Sequence, residues 1–290
     1  MNIQDTIYFL PRPVELHFQG GSLIPVDDFE TNKQSVMAGV VDGFLYYFNP
    51  IPIFRLDKAS HILEVTETPL GNFREEDGAF LMHLAAYLYG FRLQFRDWFV
   101  DGRLPMQSTH HIFVGEKEAE RFFSVAYERW RTWDKTDRRF FTNILYTHSR
   151  VPIYYWDWEE FSAEYMVTDS LFKHAKKVLG LLDTGGHRNR IKNMCSHFGV
   201  QEDNSSHPQN ATMQTCDALI REIVALRNDL LHEALWHDKT PGYGGGTRTP
   251  YWHKFLLRGI NQRLIAAMLN FQGNYTSSDW RNWQFRQLFA

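Results

Sequence analysis

A change of hydrophobic period near residue 75 constrains this 290-residue chain more than any other feature. Side chains repeat every two residues on a strand and every 3.6 on a helix, so one segment cannot serve both patterns. Before the change, short runs rich in β-branched and aromatic residues occupy 6–10, 14–18, 36–41, 44–48, 51–56 and 62–66. Gly20-Gly21, Asp42-Gly43 and Asn49-Pro50 punctuate them, and an Asp-Gly step between two apolar runs is a strong hairpin signal. The reading is a small antiparallel sheet. After the change, apolar residues recur at spacings of three and four, which predicts helices over 79–99, 116–133 and 138–147. Four more follow at about 159–182, 187–198, 210–236 and 251–271, joined by short connections. The expected fold class is α+β and mainly α, with an N-terminal β-containing region over 1–137 and an all-α bundle over 138–290.

Charge separates the same two regions. The net charge is −3, so no global basic field draws the chain to nucleic acid. Residues 1–165 hold 16 Lys and Arg against 24 Asp and Glu, a balance of −8, whereas residues 166–290 hold 15 against 10, a balance of +5. An RNA partner therefore belongs to the C-terminal half. Aromatics make up 16% of the chain, which implies a thick core or a subunit interface. The longest apolar stretch, 79–91, contains His83 and is too short to span a bilayer. With two cysteines, Cys195 and Cys216, and no basic, apolar leader at the N-terminus, the expectation is a cytoplasmic protein with free thiols and no membrane contact.

The segment 210–236 carries the chemistry. Leu219, Ile220, Ile223, Val224, Leu226, Leu230, Leu231, Ala234 and Leu235 line one side of it, spanning roughly −20° to 160° of a helical wheel that starts at Leu219. Arg227 falls at about 80°, in the middle of that apolar arc. A guanidinium cannot shed its charge, so such a position demands a partner or a wet cavity. Asn228 and His232 are an i,i+4 pair beside the stripe. A cation, an amide and an imidazole thus gather near one helix end.

The hexapeptide Arg227-Asn228-Asp229-Leu230-Leu231-His232 resembles the R-polar-x-x-x-H motif of the HEPN superfamily, which sits near the end of the third helix of a four-helix bundle. The resemblance covers roughly residues 138–271 and is closest to the ApeA-like branch of bacterial defence proteins. It implies a HEPN-like bundle and a metal-independent endoribonuclease without cofactor. It further implies a homodimer, whose two motifs face one groove. Carried over, Arg227 and His232 would be catalytic and Asn228 the supporting polar residue. The residue types suit RNA cleavage by the 2′-hydroxyl: an imidazole titrates near neutrality, and a guanidinium fork matches the charge that grows on phosphorus. Arg227 and His232 stand about 140° apart on a regular helix, which favours a site shared between two subunits. Ala234 occupies the place where toxin members controlled by a nucleotidyltransferase carry tyrosine.

A second reading keeps the fold without the chemistry, as a catalytically inactive binding or dimerisation module. Arg227 then pairs with Asp169 or Glu164 of an earlier helix, and His232 caps its own. The Gly242–Gly246 loop lacks the Gly-Lys-Ser/Thr ending of a phosphate loop and reads as a lid, from which His237 and Arg248 would touch RNA phosphates. Neither His110-His111 nor His232, His237 and Asp238 offers convincing zinc spacing, so no metal is expected. Trp130 and Trp133 read as packing rather than an RNA platform. The acidic N-terminal region is expected to receive a protein or small-molecule trigger and gate the nuclease.

Overall fold

A computed structural model of the chain describes residues 3–45, 58–96, 98, 103–106, 112, 115–154, 156–183, 185–200, 215–232, 251–271 and 273–280, the side chains of Leu231, His232 and Tyr251 excepted. Strands β1 (Ile3–Tyr8), β2 (Leu16–Phe18) and β3 (Gly21–Pro25) come first, followed by helix α1 (Phe29–Met37). Strands β4 (Val40–Val41), β5 (Phe44–Leu45) and β6 (His61–Val65) precede helix α2 (Asp77–Tyr89), after which come β7 (Gln94–Phe95) and β8 (Leu104–Pro105). Five strands form one antiparallel sheet in the order β2-β3-β6-β1-β7, and the short ones form a second in the order β4-β5-β8. β6 is central and alternates as period two requires, burying His61, Leu63 and Val65. The fold class is thus α+β with antiparallel sheet at the N-terminus.

Several elements differ from the sequence reading, each for a local reason. β3 is absent from the strands expected, and Gly21, read as part of a punctuating Gly-Gly step, lies so close to β6 that a Cβ would stand 2.3 Å from the Glu64 carbonyl oxygen, so this glycine serves strand pairing. The run at 36–41 is not one strand: Val36 and Met37 end α1, and Val40–Val41 is β4. Only Phe29 and Val36 are buried on α1, too few to mark a helical period. The run 51–56 and the end of 44–48 lie outside the described residues. The helix expected over 79–99 stops at Gly90, which adopts φ 70° and donates its N–H to Ala86, a left-handed cap that releases the chain into β7.

Every residue of α2 is buried, as an all-round apolar helix must be. Helices α3 (Glu116–Arg131) and α4 (Lys135–Arg150) pack on it, and Trp130 stacks on Phe80 at 4.7 Å, a core role. The chain divides into two compact units, Met1–Ile153 and Tyr154–Ala290, so the boundary falls after Ile153 rather than after residue 137. Charge explains why α4 stays with the first unit. Glu76, 1% exposed, is met by Arg139 Nε at 2.8 Å and by Arg138 Nε at 3.5 Å, both on α4. Asp77, fully buried, accepts from Tyr127 and Arg131 on α3 at 2.6 and 2.8 Å. Buried carboxylates at the start of α2 need these donors, and the helices that bring them are held in place.

The second unit holds α5 (Asp157–Leu179), α6 (His187–Phe198), α7 (Cys216–His232) and α8 (Tyr251–Met268). Each packs on others of the four. α5 and α8 share a polar seam: Asp157 and Glu160 meet Lys254, Glu164 meets Arg258 and Asn261, and Thr168 meets Asn261. The partners climb both helices together, so α5 and α8 run parallel. No helix among the described residues is long and apolar enough to cross a membrane.

Candidate functional site

Helix α7 is continuous from Cys216 through His232, so the hexapeptide lies on its last turns. Thr215 starts it, its Oγ1 accepting from the Ala218 N–H at 3.2 Å. Cys216, Leu219, Ile220, Ile223, Leu226 and Leu230 are buried, the face expected from their spacing. Arg227 is half-buried and Asn228 exposed. The guanidinium of Arg227 lies over the ring of Tyr165 on α5, its Cζ 5.7 Å from the centroid, and Nη1 donates to Asn228 Oδ1 at 3.1 Å. An aromatic face answers part of the problem of a cation inside an apolar arc. The His232 side chain, His237 and Arg248 lie outside the described residues, as does the 242–246 loop.

The carboxylates considered as partners for Arg227 have prominent neighbours of their own. Glu164, 1% exposed, meets Arg258 Nη1 at 2.5 Å and accepts from Asn261 Nδ2 at 2.8 Å. Asp169 stands one turn beyond Tyr165 on α5, and its Oδ1 is 3.4 Å from His187 Nδ1. The sequence reading gave His187 no role, yet its ring lies 5.7 Å from that of Tyr165, the distance at which Arg227 flanks the same ring. Tyr165 and Asp169 share a helix face by their spacing, which is legible. The arrival of His187 is not. It depends on Gly185 and Gly186, both at positive φ, which turn the chain so that His187 opens α6 against α5.

Electrostatics tie the group together. Burial lowers the pKa of His187 from its ordinary 6.5; Asp169 opposes this, while Arg227 and Arg190 reinforce it. Its place at the start of α6, where a helix disfavours cations, acts in the same direction. Burial, then Asp169, push the Tyr165 phenol up, and Arg227 and Arg190 pull it back. Beside this group, Arg188, Lys192 and Arg221 converge on Asp217 at 2.6, 3.1 and 3.0 Å, and the first two hold its carboxyl down at about 2. Arg190 and Lys176 share Asp183. The first turns of α6 and α7 therefore carry more positive than negative charge, suited to a polyanion.

Among the described residues, no three His, Cys, Asp or Glu side chains gather as a metal would require. What the group offers is a fixed cation, an amide, a stacked phenol and an imidazole backed by a carboxylate, all on three neighbouring helices. No protein-family model, no curated protein and no solved structure matches the chain.

Proposed function

We propose that the second unit is a HEPN-type endoribonuclease that cleaves RNA through its own 2′-hydroxyl, without a metal ion. The observation that carries this reading is the position of Arg227. It lies in the six-residue motif, on the third of four helices, half-exposed over Tyr165 and beside a histidine–carboxylate pair. Arg227 is the cation for the phosphate and for the charge that develops on it. Asn228, bonded to its Nη1, orients the fork. His232 is the general acid or base. The basic start of α6 and α7 gathers the RNA, Arg248 and His237 add phosphate contacts, and no cofactor takes part. The active form is a homodimer in the cytoplasm, acting in bacterial defence or stress, and a protein or small molecule received by the N-terminal region gates it.

The contact of Arg227 with Tyr165 also favours a second reading, in which the motif only holds helices or subunits together. One variant separates the two. Purified wild type and His232→Ala are incubated with mixed RNA in EDTA, and the ends are mapped. The nuclease reading expects 2′,3′-cyclic phosphate and 5′-hydroxyl ends from wild type and a loss of about 10²–10⁴-fold in the variant. Cleavage that vanishes in EDTA, or that persists undiminished in the variant, overturns it. Light scattering with and without RNA checks the dimer, and a monomer under both conditions contradicts it.

A further inference from the structure

Cleavage by the 2′-hydroxyl moves two protons. The O2′–P bond forms as the 2′-oxygen gives up its proton, and the P–O5′ bond breaks as the 5′-oxygen takes one. The hexapeptide contains one histidine. Resting on the nuclease reading of Arg227, we infer that His187, held by Asp169, accepts the proton of the attacking 2′-hydroxyl, which leaves His232 to protonate the departing 5′-oxygen. The electron pair of the O2′–H bond becomes the new O2′–P bond, and that of P–O5′ leaves with the oxygen. No oxidant or further reactant is needed.

Three observations carry this. Arg227 and His187 both lie against one aromatic ring, each 5.7 Å from the centre of Tyr165, and the guanidinium acts electrostatically on the imidazole, which puts the two groups in one neighbourhood. Asp169 Oδ1 stands 3.4 Å from Nδ1, a charge contact without hydrogen-bond geometry, and Nδ1 is closed off from solvent while the His187 side chain as a whole is 24% exposed. The nearby negative charge favours the proton on Nδ1 and leaves Nε2 as the acceptor, and a small approach on binding RNA would turn the contact into the hydrogen bond by which a carboxylate fixes a histidine tautomer. An acceptor must also be neutral at working pH. The groups facing His187 are Asp169 and Tyr165 from α5, Arg190 from its own helix and Arg227 from α7. Burial, helped by Arg227 and Arg190 and opposed by Asp169, keeps the imidazole below 6.5.

The test uses the full chain with single-stranded RNA in EDTA, comparing wild type, His232→Ala, His187→Gln, His187→Gly and Asp169→Asn under single-turnover conditions. His187→Gln is expected to slow cleavage by about 10²–10⁴-fold without weakening the binding of 2′-deoxy substrate, and free imidazole to restore much of the rate of His187→Gly. Asp169→Asn, which removes the charge that favours protonated His187, moves the acidic limb of the pH–rate profile to lower pH. If wild type does not cleave RNA, the nuclease reading falls, and this inference with it. If wild type cleaves and His232→Ala does not, but His187→Gln keeps the wild-type rate, this inference alone is overturned. It is overturned too if imidazole rescues nothing, which would leave His187 a packing residue.

Discussion

Removing the cation that faces Glu164 should destabilise the second unit severely, and removing both charges together should not. Glu164 is 1% exposed and Arg258 5%, with Nη1 and Oε1 2.5 Å apart. Arg258→Met takes the Nη1 donor from the carboxylate, which still accepts from the Asn261 amide at 2.8 Å, and Glu164→Leu takes that carboxylate from the guanidinium. Breaking one side of a buried pair costs about 3–5 kcal/mol, a third or more of the roughly 5–15 kcal/mol that holds a typical domain folded. Replacing both by apolar residues of similar volume is near neutral or stabilising by about 1–4 kcal/mol. Asn261 Nδ2 then keeps only the Glu164 backbone oxygen, also at 2.8 Å, and the lost side-chain bond takes back about 1 kcal/mol. The single variants should therefore each lose about 3–5 kcal/mol while Glu164→Leu/Arg258→Met stays within about 2 of wild type, a strongly non-additive cycle. Because the two units need not unfold together, urea titration is read by hydrogen exchange of α5 and α8 amides. Single variants that lose less than about 1 kcal/mol, or a double variant that loses the sum, would refute the reasoning.

Two further outcomes concern the first unit. Burial lowers His61 and His83 from 6.5 to about 4, with Arg92 adding to the effect at His83, so the unfolded chain binds their protons first as pH falls. Their contribution is complete above pH 6.5 and is lost between 6.5 and 4, up to about 3 kcal/mol each, and urea midpoints across that window should fall less steeply in His83→Gln. Gly21→Ala should cost about 1–3 kcal/mol, since its Cβ would stand 2.3 Å from the Glu64 oxygen and part β3 from β6; thermal unfolding within 0.5 °C of wild type would contradict the close approach.

What the sequence made legible was set by range. The apolar face of α7 depends on neighbours three and four residues away and α2 on an unbroken apolar run, and both were readable from the sequence alone. Strand β6 was readable for the same reason at period two. α1 was not, because its two buried residues, Phe29 and Val36, stand too far apart to repeat. The domain boundary was misplaced because the donors that bind α4 to α2 act across 63 residues, from Arg139 to Glu76, and no local pattern announces such a partner. His187 escaped notice in the same way. Its ring is ordinary in its own segment and gains meaning only where two glycines bring it against α5.

One feature of α5 joins the stability of the second unit to the proposed chemistry. Glu164 and Thr168 form the seam with α8, while Tyr165 and Asp169, the next residue in each case, form the floor of the site. One residue along a helix is a turn of about 100° about its axis, so the seam fixes the rotation that aims Tyr165 and Asp169 at Arg227 and His187. An apolar seam has no such directional demand: side chains of suitable volume pack over a range of rotations, whereas Asn261 bridges Glu164 and Thr168 only in one. The double variant Glu164→Leu/Arg258→Met therefore separates two roles that the wild type combines. If the buried ions serve orientation, it folds as stably as wild type but shifts the His187 titration, as Tyr165 and Asp169 turn away from the imidazole together. An unchanged His187 titration, read by NMR of the ring protons, would mean that the apolar contacts of α5 alone set its rotation.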